Sequence, residues 1–132
     1  MLNHLNLEKL SENSEHGEQI LEALCRSNIT QLTYLNLSKN EKWWTRADNC
    51  HLFNTFLNMQ VSLSDINMNF SKFSNQFTES LLTTISNKPE LTYNLKEVYF
   101  QGSMNFEENK SIESLADILQ KGPKLESVHI TG

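Results

Sequence analysis

Five times along the chain, large apolar residues take the first, fourth and sixth places of a six-residue stretch: Leu2, Leu5, Leu7; Leu32, Leu35, Leu37; Leu63, Ile66, Met68; Leu95, Val98, Phe100; and Leu125, Val128, Ile130. The leading residues lie 30, 31, 32 and 30 apart. Such regularity puts chemically equivalent residues at equivalent places in successive units, so each unit has to be read against the others. Within a stretch, the fourth and sixth places share one face of a strand, and the residues beside them belong to the other face.

Between the stretches the apolar period changes from that of a strand to that of a helix. Ile20, Leu21, Leu24 and Cys25 form one helical stripe; Cys50, Leu52, Phe53, Phe56 and Leu57 form a second. Phe77, Leu81, Leu82 and Ile85 make a third, and Leu115, Ala116 and Leu119 a fourth. Ser14, Gly17 and Glu18 supply weak start signals for the first helix, and the fourth is expected from about Ser111. Units one and three carry their helical apolar residues at offsets 18, 19 and 22 from the leading residue, whereas units two and four use 20, 21 and 24. Both of the latter also have an aromatic at offset 11, Trp43 and Phe106, which implies two alternating loop lengths. Glu90 to Asn94 makes a longer return than elsewhere and is expected to bulge.

A length of 132 residues fits one domain, divided into units 2–31, 32–62, 63–94, 95–124 and 125–132. The net charge of -5 argues against a polyanionic partner, because nucleic acid is held by clustered Lys and Arg. No apolar run reaches the roughly 18 residues needed to span a bilayer. Met1 to Leu10 lack the basic region and unbroken apolar core of a signal peptide. Cys25 and Cys50 fall on helical stripes, which predicts buried, reduced thiols and a cytoplasmic setting. Asn28, Asn36, Asn69 and Asn109 begin glycosylation triplets, but a chain this rich in Asn, Ser and Thr produces about that many by chance.

The five stretches resemble those of a leucine-rich repeat protein, and the unit length with a full helix per unit is similar to the ribonuclease-inhibitor-like subtype. That resemblance implies an α/β solenoid, a horseshoe with a curved parallel sheet on the concave face and helices on the convex face. The Asn or Cys that the family places ninth occurs only as Asn40; Leu10, Ser71 and Ser103 stand in the other units. In that place an Asn side chain is expected to satisfy the backbone of the turn leaving the strand. The competing arrangement is a doubly wound domain, which also alternates strands and helices but needs no shared spacing and favours longer apolar strands. The deciding expectation is that Leu5, Leu35, Ile66, Val98 and Val128 form one buried row.

On the opposite face the same register predicts two ladders: His4, Tyr34, Asp65, Glu97, Ser127, and Asn6, Asn36, Asn67, Tyr99, His129. Tyr34, Asn36, Asp65, Asn67, Glu97, Tyr99 and His129 are the candidate partner-binding residues, since Tyr offers large contact area at low entropic cost. Trp43 is expected in the core. Trp44 is either an exposed binding anchor or packed against the neighbouring loop. His4 and His129 belong to the first and last strands, roughly 20 Å apart at sheet spacing, so they cannot act as a pair. No phosphate loop, Cys-x-x-Cys or His-Glu-x-x-His motif occurs.

The expected function is therefore a non-catalytic module or scaffold subunit without cofactors, binding a protein partner through the concave face or through its uncapped ends. The uncapped ends predict a segment of a longer repeat protein or a subunit whose partners cover them. The resemblance also implies two alternatives: a regulator of a small GTPase similar to Ran GTPase activators, and the sensor region of a nucleotide-binding receptor. Neither of the two arginines, Arg26 and Arg46, falls on the predicted concave face.

Overall fold

Strands and helices alternate along the whole chain in the computed structural model, which describes residues 1–132. In order they are β1 (His4–Asn6), α1 (Ser14–Arg26), β2 (Tyr34–Asn36), a 3-10 turn (Glu41–Thr45), α2 (Ala47–Asn58), β3 (Asp65–Asn67), α3 (Asn75–Ser86), α4 (Pro89–Asn94), β4 (Glu97–Phe100), α5 (Asn109–Lys121) and β5 (Ser127–Ile130). The architecture is α/β, one parallel sheet ordered β1-β2-β3-β4-β5 and flanked by helices. A doubly wound sheet reverses its strand order part-way; this one does not. The helices pack in sequence as well, α1 on α2, α2 on α3 and α3 on α5. None of them is long and apolar enough to cross a membrane.

Pairing falls on the residues about thirty apart. Leu5 lies opposite Leu35, Leu35 opposite Ile66, Ile66 opposite Val98 and Val98 opposite Val128. Leu35, Ile66 and Val98 are buried, while Leu5 is half-buried and Val128 is 38% exposed. The row is continuous but sealed only in its middle, because a residue of an edge strand has a packed neighbour on one side alone. Leu32, Leu63, Leu95, Leu37, Met68 and Phe100 complete the buried layer. Each such side chain stabilises the fold by roughly 1.5–3 kcal/mol on burial.

Local chemistry sets the helix ends. Asn13 caps α1 by accepting from Glu15 N at 2.8 Å, and Ser74 caps α3 by accepting from Phe77 N at 3.1 Å. Gly17 is not a start signal: it lies inside α1, where a Cβ would stand 2.6 Å from Trp43 Cγ, so its smallness lets the indole lie against the helix. Residues 90 to 94, expected to bulge, belong to the short helix α4, which has Pro89 in its first turn and Leu91 fully buried. Asn94 then pins the return by donating to Val61 O at 3.1 Å. Gln60, fully buried, does the same one unit earlier, donating to Ile29 O at 2.7 Å and accepting from Leu32 N at 3.1 Å.

Asn40 fulfils its expected role. Its Nδ2 donates to Leu7 O at 2.8 Å and Leu37 O at 3.1 Å, and its Oδ1 accepts from Leu10 N at 2.9 Å and Ser11 N at 3.2 Å. Serine takes over in the later units: Ser71 Oγ donates to Met68 O at 2.8 Å, and Ser103 Oγ donates to the same carbonyl at 2.6 Å while accepting from Ser71 N at 3.0 Å. The thiols differ from expectation in degree, since Cys25 and Cys50 are free but only half-buried. Desolvation pushes the Cys50 thiol up to about 11 and raises Cys25 too, where Glu22 adds to the effect.

Candidate functional site

The sheet face turned away from the helices carries both expected ladders in register. His4 pairs with Tyr34, Tyr34 with Asp65, Asp65 with Glu97 and Glu97 with Ser127; beside them run Asn6, Asn36, Asn67, Tyr99 and His129. Parallel pairing brings like positions together, so the composition of the face follows directly from the spacing.

Two aromatic pairs frame an acidic centre. The His4 and Tyr34 rings stack at 4.2 Å between centroids, and those of Tyr99 and His129 at 5.1 Å. Between them Asp65 and Glu97 occupy adjacent strands and neither forms an ion pair with a basic side chain. Asp65 accepts from Ser64 Oγ at 3.0 Å, and Glu97 accepts from the Tyr99 hydroxyl at 2.9 Å. That hydrogen bond is the leading reason the Tyr99 phenol is raised above its ordinary value; desolvation and the Glu97 charge act in the same direction. Asn36 is buried among its neighbours on this face, its Nδ2 donating to the Tyr34 hydroxyl at 3.4 Å and its Oδ1 accepting from Ser38 N at 2.9 Å and Ser38 Oγ at 2.7 Å. Asn67 repeats the motif by accepting from Asn69 N at 3.0 Å. Asn36 thus builds the strand end more than it presents a surface, leaving Tyr34, Asp65, Asn67, Glu97, Tyr99 and His129 as the accessible part.

Trp44 is not part of this face. It is 4% exposed and lies in an aromatic cluster: its ring stacks on Phe77 at 5.5 Å and meets Phe53 and Phe73 edge-on at 5.4 and 5.9 Å. The reading as an exposed anchor is thereby corrected, and packing against the next unit holds. The physical cause is the 3-10 turn, which rotates successive residues by about 120°; Trp43 turns back toward unit one and Trp44 forward toward unit three, and both are enclosed. Trp43 is fully buried, as expected, with its Nε1 donating to Ser11 O at 3.0 Å. His4 and His129 sit on the two edge strands. Arg26 pairs with Glu22 at 3.8 Å and Arg46 with Glu18 at 2.9 Å, both away from the open face.

No protein-family model and no curated protein matches the chain. Among solved structures, leiomodin-1 actin-binding site 2 is similar, with a TM-score of 0.68, 13% identity and coverage of 98% of this chain and 70% of that one. At that identity the likeness is one of fold. It corrects the resemblance to a leucine-rich repeat protein of the ribonuclease-inhibitor-like subtype: the structural neighbour is an actin-binding site with a small α/β fold. The reason is physical. Apolar residues at places one, four and six, repeated at equal spacing, are what a parallel strand with one buried face demands wherever strands alternate with helices, so the pattern reports geometry. The ninth-position Asn, the more specific mark, occurs once in four places.

Proposed function

We propose that the chain is a non-catalytic protein-binding module whose partner docks on the open face of the sheet. The observation that carries this reading is the pair of half-exposed tyrosines, Tyr34 and Tyr99, each stacked on a histidine and flanking two carboxylates that no basic side chain neutralises. Tyr is enriched where partners bind, because a rigid ring with a polar tip gives contact area at little entropic cost. Unpaired carboxylates in adjacent strands repel each other, so a partner that brings a cation or a donor gains energy there.

Size constrains the partner. Five strands at about 4.8 Å, each three to four residues long, give a face of roughly 20 by 12 Å, well short of the roughly 800 Å² that each side of a standard interface buries. The partner therefore enters as a narrow element, a helix or an extended segment, or spreads over the rims. Helices are about 10 Å wide where strands are about 4.8 Å apart, and in this reading the mismatch bends the sheet into the concave side of a curved stack, which favours such an element. Actin is the first partner to test, since the similar solved structure is described as an actin-binding site.

A photo-crosslinking residue at Asn67, central on the face, and another at Thr55, exposed on α2, discriminate the two sides. Incubation with purified monomeric and filamentous actin, and with native extract, is expected to give a discrete crosslinked product from Asn67, lost when Tyr34 and Tyr99 are both changed to Ala. Products from Thr55 alone would place binding on the helical side and overturn the reading.

A further inference from the structure

Just past each of the first four strands the chain turns through the left-handed region, at Lys9 (φ 50°), Lys39 (φ 60°), Phe70 (φ 56°) and Gly102 (φ 67°). Only the last is glycine, the residue that region suits; a bulky side chain there is strained. The sheet ladder holds these residues in place. Lys9 N donates to Ser38 O at 2.9 Å, Lys39 N to Asn69 O at 3.0 Å and Phe70 N to Gln101 O at 2.7 Å. The four positions therefore form a row along one rim at the sheet spacing of about 4.8 Å. Gly102 ends the row by making room: a Cβ there would stand 3.0 Å from Phe70 Cδ1, so the ring rests across the glycine and stays 48% exposed.

Beside the ring lies a hollow of about 320 Å³ lined by Lys9, Glu12, Lys39, Glu41, Lys42 and Phe70. Its charge differs from that of the rest of the molecule. Lys72, Lys88, Lys96, Lys110 and Lys121 all have carboxylate partners, and Lys124 lies 4.6 Å over the Tyr93 ring. Lys9, Lys39 and Lys42 have no carboxylate within 4.0 Å, and all three line this hollow. Of its two carboxylates, Glu41 is engaged by Lys72 at 3.6 Å, which leaves Glu12 as the one lining carboxylate without an ion pair. Three lysines without an ion pair thus line one hollow beside an exposed aromatic, on a chain of net charge -5.

We propose that this rim hollow docks an acidic peptide segment bearing one aromatic or large aliphatic side chain, with its carboxylates on Lys9, Lys39 and Lys42 and its apolar group on Phe70. The surface is separate from the open sheet face and does not depend on that reading. An apolar anchor set beside cations selects a peptide over a bare polyanion, which has nothing to place on the ring. Unpaired surface lysines give attraction that weakens with salt, and the Phe70 ring, carried on a backbone fixed in the left-handed region, supplies the apolar contact.

The test is fluorescence anisotropy with a labelled peptide of glutamates around one central phenylalanine, compared with the same peptide carrying alanine at its centre. Binding is expected to weaken about tenfold in the Lys39→Glu/Lys42→Glu variant and about fivefold in Phe70→Gly or with the alanine peptide, a tenfold change being about 1.4 kcal/mol. Phe70→Gly is expected to melt no lower than the parent, since glycine relieves the turn, so its loss of binding is not a loss of fold. Tyr34→Ala/Tyr99→Ala is expected to bind as the parent does. Equal affinity for the two peptides would reduce the hollow to a general anion site, and an unchanged Lys39→Glu/Lys42→Glu variant, or loss of binding in Tyr34→Ala/Tyr99→Ala, would move the contact elsewhere; each result overturns the proposal.

Discussion

The crossovers leaving β2 and β4 begin from the same register and carry an aromatic at the same offset, but ten residues separate β2 from α2 and eight separate β4 from α5, and they grip the preceding unit differently. After β2, Asn40 bonds across to Leu7, Leu10 and Ser11, Trp43 reaches Ser11, Asn49 donates to Ser14 O at 3.0 Å and Arg46 pairs with Glu18. After β4, the corresponding work is done by Ser103 and by Asn105, whose backbone N–H donates to Thr78 Oγ1 at 3.0 Å, while Phe106 remains half-buried. The equal spacing of apolar residues sets where a crossover runs. How firmly it clamps the unit behind it depends on a few side chains outside the repeated pattern, and on whether they fill space and satisfy the backbone.

Deleting the offset-11 aromatic tests that difference most directly. Trp43→Ala is expected to cost about 3–5 kcal/mol, the range for large aromatics removed from a sealed core, whereas Phe106→Ala should cost about half as much because its site is already partly solvated. Chemical denaturation with an unchanged m-value in both variants would measure this, and equal losses would break the comparison. Asn40→Ser, which converts the β2 crossover to the type found after β4, is expected to cost about 1–3 kcal/mol, because one hydroxyl cannot replace an amide that serves three carbonyls and two N–H groups. A neutral result would show that the serine version suffices. Gly17→Ala comes next and is notable for its sign: in an open helix interior the change stabilises by about 1 kcal/mol, but here the new methyl meets the Trp43 ring at 2.6 Å, so a net loss of about 1–2 kcal/mol in thermal unfolding is expected.

The degree to which these features were legible in the sequence follows the same division. Strand positions, their register and the two outward ladders could be read, because a half-buried strand imposes a two-residue period and the repeat carries it from unit to unit. Helix α4 could not: Glu90 to Asn94 has no apolar period, and its order rests on Pro89 in its first turn and on Asn94 bonding back to Val61. The clamp residues Gln60 and Asn49 were hidden too, since a polar residue buried to satisfy a neighbour's backbone looks in sequence like any surface amide. Of the candidate site, the tyrosines and carboxylates were legible from the ladder, but the burial of Asn36 beneath its own neighbours and the enclosure of Trp44 by the rings of the next unit were not. The rim hollow was only half legible: Lys9, Lys39 and Phe70 share one place in their units, but Lys42 joins them only through the 3-10 turn, and which lysines lack ion pairs is decided by contacts between units.

Trp44 gives the smallest expected effect and the sharpest contrast with its neighbour. Its indole is enclosed by Phe53, Phe73 and Phe77, but its Nε1 is buried with no hydrogen-bond partner, whereas Trp43 Nε1 donates to Ser11 O. An unpaired buried N–H carries a desolvation cost of about 1–3 kcal/mol, and phenylalanine removes that cost while leaving a somewhat smaller ring. Lost packing and relieved desolvation then nearly cancel, so Trp44→Phe is expected to change stability by less than about 1 kcal/mol. Trp43→Phe loses both packing and a satisfied bond, leaves Ser11 O without its donor, and should cost about 2 kcal/mol more. Urea titrations of the two variants, read by far-ultraviolet circular dichroism, measure the gap. If Trp44→Phe proved the costlier of the two, the packing of the forward-facing ring would outweigh the backward clamp, and the tightness of the β2 crossover would owe more to unit three than to unit one.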